Sequence, residues 1–291
     1  MIITNKLNLP TPFVSMLESN YEYKPKRYSV TAMLKPIQEI ILERRHHHEI
    51  EKDVANTIWL QFGVAVHSIL EKHQESADEI KELALEAPIL DYTLSGRLDI
   101  YNDKTGTVTD YKTCSVYKIL KKDFKDWERQ CLIYCYLLKK TGFNNANNGE
   151  IVALMKDHSI TKAKFEEGYP KFPVHVEKFD FTIDDFIEIE QFLKDKFIEI
   201  KRCEELPNHD LPPCTPEERW NDGDKYAVKR KNVKKALRVF NALEEANDLI
   251  EKNPECYVET RPGTNRKCED YCNAAPFCYQ YRQSLKEIKY E

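Results

Sequence analysis

The stretch GRLDIYNDKTGTVTDYKT, residues 96–113, is the feature that most restricts what this chain can fold into. Alternating polar and apolar residues flank a turn-forming NDKTG, the pattern of a β-hairpin. Asp110 and Lys112 are two apart on the second strand, so their side chains share a face. Asp99 lies on the preceding strand, within the reach of cross-strand pairs. Two carboxylates at close quarters repel unless a cation stands between them or one takes up a proton. Mg²⁺ or Mn²⁺ resolves that conflict, because hard cations take carboxylate oxygens. A lysine beside such a pair can align an attacking water and stabilise negative charge developing on a phosphate. An ordinary surface hairpin with an Asp–Lys ion pair would carry the same three residues, so their neighbours must decide.

Upstream, the segment 53–76 predicts a long amphipathic helix, and His67 lies on it in GVAVHSILE. Its phase sets it beside Val64, Ile69 and Leu70, on the side expected to be buried. A lone helical histidine is ordinarily structural. Two nearby carboxylates would let this one share a metal ion, for which imidazole is a good ligand. Downstream, Gln130 and Tyr134 are i, i+4 neighbours that interrupt the apolar run of Leu132, Ile133, Leu137 and Leu138. Buried polar groups there need partners. Glu71, one turn after His67, reads as a surface glutamate or as a support for the histidine.

The rest of the chain supplies alternating helices and strands. Residues 1–28 read as an extended lead-in. A helix is expected from Ser29 or Thr31, with a stripe at Met33, Ile37, Ile40 and Ile41 and with Pro36 tolerated near its first turn. The histidines at 46–48 fall on its solvated surface, since adjacent helical residues point in different directions. A helix over KDWERQCLIYCYLLKKTG ends at Gly142, EIVALMKD and FPVHVEKFDFT read as strands, and a further helix opens with Asp184 or Asp185 in its first turn. After position 206 the Pro-rich PNHDLPPCTPEERW marks a boundary, so the core is placed at 29–206 and a separate segment at 207–291. That segment is expected to begin with a basic helix carrying Lys229, Arg230, Lys231, Lys234 and Lys235, which either tracks a phosphate backbone or is a solvated face.

Composition limits the function classes. A hydrophobic share of 41% across 291 residues is ample for a packed core, and no run of apolar residues is long enough to span a membrane. The net charge of −5 gives no global pull toward nucleic acid, so such binding must rest on local patches. The first residues lack a basic start followed by an apolar core, so no secretory signal and a cytoplasmic setting are expected, with the nine cysteines as reduced thiols. Cys268, Cys272 and Cys278 lie within eleven positions and read as a metal-binding cluster. The fourth ligand is favoured as Cys214, with Cys256 the next candidate and Cys203 or His209 further off. Four thiolates suit either a [4Fe–4S] cluster or Zn²⁺, and the expected role is a structural clip. Cys114, Cys131 and Cys135 read as small buried hydrophobes.

The ordered motifs Gly63-x3-His67, Gly96-Arg97-x-Asp99, Asp110-Tyr111-Lys112-Thr113 and Gln130-x3-Tyr134 resemble the RecB-type branch of the PD-(D/E)xK nuclease superfamily, notably its CRISPR-associated and phage single-domain exonucleases. The resemblance spans position 29 to about 200 and implies an α/β restriction-endonuclease-like core, a mixed β-sheet flanked by helices. It implies His67, Asp99, Asp110 and the Tyr111 carbonyl as metal ligands, Lys112 as the catalytic lysine, and Gln130 and Tyr134 as residues that steady the lysine or the DNA backbone. The relatives that hold an iron–sulfur cluster draw one cysteine from before the nuclease core, whereas this chain has none before Cys114. The activity implied is metal-dependent hydrolysis of DNA phosphodiesters, end-directed on single strands or duplex ends, in recombination, repair or phage DNA processing. An endonuclease of the same fold and a non-catalytic DNA-binding module with a metal clip are the alternatives.

Overall fold

The computed structural model describes residues 1–18, 23–72 and 76–287. Parts of the expected lead-in, of the tail of the His67 helix and of the C-terminal segment, at 19–22, 73–75 and 288–291, lie outside the described residues. The chain divides into two compact units, Met1–Leu206 and Pro207–Glu291. Among the described residues, no helix is long and apolar enough to cross a membrane.

The first unit is built on a five-stranded sheet of β1 (Glu79–Lys81), β2 (Ile100–Asn102), β3 (Thr107–Cys114), β4 (Asn148–Met155) and β5 (Val174–Asp180), in the order β5-β4-β3-β2-β1. Only the β3–β4 pair is parallel; the other three pairs are antiparallel. A parallel pair needs a crossover, and helix α3 (Lys125–Lys140) supplies most of it. Every second residue of β4 is buried, and α3 packs over the strand with Cys131 close against Gly149. Helix α4 (Ile183–Glu204) packs on α3 and buries Ile189, Leu193, Phe197 and Ile200, with the Phe197 ring stacked on Tyr92. Its start is fixed by a capping box in which Thr182 and Asp185 bond each other's backbone. The mixed sheet flanked by helices is the α/β class expected. A second sheet of Arg27–Ser29, Ala84–Ile89 and Tyr92–Arg97 is tied to the end of α4, where the Tyr28 and Tyr92 hydroxyls both donate to Glu204, at 2.7 and 2.8 Å.

Two helices replace the single one expected after Ser29. Ser29 caps the short Val30–Met33 helix by accepting from the Ala32 N–H at 3.1 Å, and α1 (Ile37–His46) starts afresh after Pro36. Pro36 has no N–H to continue the first helix and drives Lys35 away from helical backbone angles. Helix α2 (Ile58–Leu70), led in by a 3₁₀ turn over Val54–Thr57, carries His67. Its apolar side is not buried as expected: Val64 is 53% and Ile69 67% exposed, and Gln61 is its one buried residue.

In the second unit the basic helix is absent. Lys225–Arg230 is β6, the central strand of a three-stranded sheet with β7 (Arg238–Phe240) and β8 (Cys256–Arg261), and α5 (Leu243–Glu251) follows β7. The pair Ala227 and Val228 is buried between lysines, and Val228 joins Phe240, Ala246 and Cys256 in a small core. Charges on this segment are partly answered within the unit: Lys229 pairs with Glu259 at 2.8 Å and Arg230 with Glu255 at 3.4 Å. A continuous cationic helix face, one of the two readings of that run, is therefore not formed.

Candidate active site

The hairpin of β2 and β3 runs in the register Ile100↔Thr109, so Asp99 stands one step beyond the ladder, opposite Asp110. Asp110 occupies a core-side position on β3, in phase with the buried Val108. Its Oδ1 accepts from the Gln130 amide of α3 at 3.0 Å. Its Oδ2 lies 2.6 Å from Lys112 Nζ, and outside that ion pair no hydrogen bond reaches this buried oxygen. Asp99 Oδ2 accepts from the Tyr111 N–H at 2.7 Å, and Asp99 Oδ1 stands 3.4 Å from His67 Nδ1. The four expected side chains thus converge from α2, the segment before β2, and β3.

Their electrostatics show how tightly they are gathered. Burial raises the Asp110 carboxyl above its ordinary range, the Lys112 ammonium opposes this, the nearby Asp99 charge adds to it, and His67 opposes it. His67 is held above its ordinary value chiefly by its bond to Asp99, against the effect of burial, with the Asp99 and Asp110 charges and the Tyr111 carbonyl helping. One imidazole, two carboxylates and a backbone carbonyl form a donor set suited to Mg²⁺ or Mn²⁺. Asp110 Oδ2, which here faces only the Lys112 ammonium, is an oxygen such an ion would take. Here the donors are turned to protein partners, and among the described residues no three His, Cys, Asp or Glu side chains are set around a common point for an ion.

Gln130 and Tyr134 take different partners from those expected. Both are buried; Gln130 holds Asp110, and the Tyr134 hydroxyl donates to the Arg97 carbonyl at 2.8 Å, two residues before Asp99. Through these bonds they hold the Asp110 carboxyl and the backbone that leads to Asp99. Gly96 makes this possible, because a Cβ there would come within 2.7 Å of the Tyr134 ring and of Val30. Gly63 plays the same part for α2: a Cβ would lie 3.1 Å from Thr113 Oγ1, so its absence lets α2 settle on β3.

Glu82 was not foreseen. Its N–H donates to the Asp99 carbonyl at 2.9 Å, and its carboxyl lines a small pocket with His67, Glu71, Lys81, Asp99 and Tyr111. Burial first, and then the charges of Glu71 and Asp99, raise the Glu82 carboxyl, which is hydrogen-bonded to Glu71. Glu71 therefore faces the site instead of bulk solvent alone. No motif marks Glu82; only its pairing with the chain at Asp99 reveals it.

In the second unit, Cys214 lies close enough to Cys278, Cys268 and Cys272 that, after burial and Glu218, these thiols push it up to about 12. Gln280 straps it in place, donating to the Cys214 carbonyl at 3.0 Å and accepting from its N–H at 2.9 Å. Cys256 is instead part of the small sheet core, and Cys203 lies in the first unit, on α4. All nine cysteines are free thiols. Among the described residues, no three of these thiols are set around a common point for an ion. Burial is the main influence raising Cys114, Cys131 and Cys135. His46 and His47 bond locally, to Glu49 and to the Arg44 carbonyl.

No curated protein matches the chain. Among solved structures, the chain is similar to SSO0001 (15% identity, 65% of this chain and 82% of that one, TM-score 0.45). It is also similar to an alkaline exonuclease, LHK-Exo, from Laribacter hongkongensis (12%, 62% and 90%, 0.39). A third is a phage-related exonuclease from Haemophilus somnus 129PT (10%, 49% and 69%, 0.29). At these TM-scores the likenesses carry no argument. The family model of the PD-(D/E)XK nuclease superfamily, by contrast, matches residues 15–279, nearly the whole chain, and the chain belongs to that superfamily.

Proposed function

We propose that this protein is a divalent-metal-dependent deoxyribonuclease that hydrolyses DNA phosphodiesters from an end, on single strands or duplex ends. The observation that carries the reading is the buried Asp110, its Oδ2 held only by the Lys112 ammonium, set close to Asp99 and His67. A carboxylate is not kept in that position for packing, because burial and a like charge both work against it.

Asp99, Asp110, His67 and the Tyr111 carbonyl would hold Mg²⁺ or Mn²⁺. When bound, such an ion lowers the pKa of a water and offsets charge on the phosphoryl oxygens. Lys112, aimed by its contact with Asp110, aligns the attacking water and stabilises the negative charge gathering on the phosphate. Displacement is in line with the departing 3′ oxygen, leaving a 5′ phosphate. Gln130 keeps the Asp110 carboxyl from rotating, and Tyr134 fixes the backbone that delivers Asp99. The four gathered cysteines, once their thiols turn toward one another from the arrangement described, would hold a [4Fe–4S] cluster or Zn²⁺ as a structural clip within the second unit.

The test is incubation of purified protein with end-labelled linear and circular single-stranded DNA in Mg²⁺ or Mn²⁺. Expected are loss of linear substrate, survival of circles, and a fall of at least about a hundredfold in rate for Lys112→Ala. Cut circles would replace the exonuclease with an endonuclease, and binding without cleavage would leave a DNA-binding module.

A further inference from the structure

We propose that Trp59, together with Lys156, forms a stacking station for a base of single-stranded DNA, within a few nucleotides of the phosphodiester being cut. The inference rests on the nuclease reading above and names the form of substrate that the site accepts.

Trp59, Gly63 and His67 are spaced i, i+4, i+8 on α2, so they form one ridge along the helix. Gly63 shows which way this ridge faces, since it meets Thr113 of β3. Trp59 is therefore on the same side of α2 as the site histidine, eight residues or about 12 Å along the axis. A second path leads from the site to the same place. Strand β3 carries Asp110 and Lys112 and ends at Cys114, whose carbonyl accepts from the Lys156 N–H at 3.0 Å. The Lys156 Nζ then lies 4.7 Å from the centre of the Trp59 ring. Helix and strand thus converge on one aromatic–cation pair at the end of a track that starts at the acids.

Trp59 is not there for the core. It is 58% exposed, on a helix whose one buried residue is Gln61. Phe62 meets its ring edge-on, with centroids 6.1 Å apart at 85°, and steadies the indole. A rigid, exposed indole with an ammonium beside it matches what single-stranded DNA presents: a base face for the ring and a phosphate for the lysine. The flexible lysine stem can leave the ring for a phosphate as a base takes its place. With a net charge of −5 the chain offers no general attraction for DNA, so local pairs of this kind must supply it.

The test uses the full-length protein in Mn²⁺ with single-stranded oligonucleotides, intact or carrying one abasic residue at successive positions. Trp59→Ala is expected to raise KM about tenfold or more while leaving kcat within about twofold, and Trp59→Phe to recover most of the loss. In the wild type one abasic position raises KM by a similar factor, and in Trp59→Ala that position costs nothing further. Anisotropy of a labelled oligonucleotide on Lys112→Ala, with and without Trp59→Ala, reads the same contact without cleavage. A wild type that cuts nothing but loses affinity on Trp59→Ala sinks the nuclease reading and keeps the station. A wild type that cuts, with unchanged KM and affinity in Trp59→Ala, overturns the station. So does Trp59→Ala changing only the sedimentation of the protein, which would make this face of α2 a protein interface.

Discussion

Asp110 stands where β3 would otherwise place an apolar side chain, and the consequences can be worked out with sign. Burial holds its carboxyl above the ordinary value of 3.8, so the folded chain keeps that proton longer than the unfolded chain does. In that window the folded chain binds more protons than the unfolded chain, so this group costs stability as pH rises through and above it. Asp110→Asn removes the charge and keeps one oxygen, for Gln130, while its amide nitrogen stands where Oδ2 faced Lys112. The variant is expected to lose cleavage yet melt higher than the wild type at pH 7 in chelator, with the gain shrinking toward pH 4. Thermal melts across that pH range read it; a lower melting temperature at pH 7 would contradict the account of Asp110. At this scale the sequence showed Asp99, Asp110 and Lys112 on one hairpin, and the register bears out their closeness. It did not show the partners of Gln130 and Tyr134. Their spacing placed them on one helix face, but a hydrogen bond to Asp110 and one to the Arg97 carbonyl depend on where α3 lies over the sheet.

Helices and strands were legible where one periodicity ran without interruption. Strand β4 buries every second residue, and the start of α4 has acids in its first turn, as its sequence indicated. The capping box there gives a prediction at the scale of the element. Thr182→Ala removes the acceptor for the Asp185 N–H and is expected to cost about 1 kcal/mol at pH 7 in urea unfolding. Asp185 is held below its ordinary range by the Thr182 side chain and then by the Thr182 N–H. Its contribution is present above pH 4 and is lost as pH falls through its lowered folded value, so the difference between wild type and variant narrows in acid. Where the reading failed, the reason was also local. In β6 the buried pair Ala227 and Val228 is adjacent rather than alternating and is flanked by lysines, so no strand periodicity marks a segment that pairing with β8 stabilises. In α1, Pro36 acts as a break between two helices because of the backbone it lacks.

The whole molecule comprises two units with different resources. Met1–Leu206 has a broad core under α3 and α4, whereas Pro207–Glu291 has a core of a few side chains and four gathered thiols. A unit with so small a core depends on a cross-link or ion to supply what burial does not. Cys278→Ser is therefore expected to speed hydrogen exchange in peptides of residues 214–224 and 265–285, and to leave residues 100–155 unchanged. Elemental analysis of the wild type and of this variant is expected to find iron or zinc in the first and its loss in the second. Equal exchange in both proteins would remove the clip.

By itself the sequence determined the hairpin, the ridge of α2 and the clustering of cysteines, because each is set by spacing along one element or within one short segment. Only the tertiary structure decided that Glu82 and Glu71 join His67 and Asp99, that Cys214 rather than Cys256 lies with the other thiols, and that the apolar side of α2 stays uncovered. Periodicity states which side chains point together; what they meet depends on contacts between residues far apart in the chain, and spacing carries no record of these.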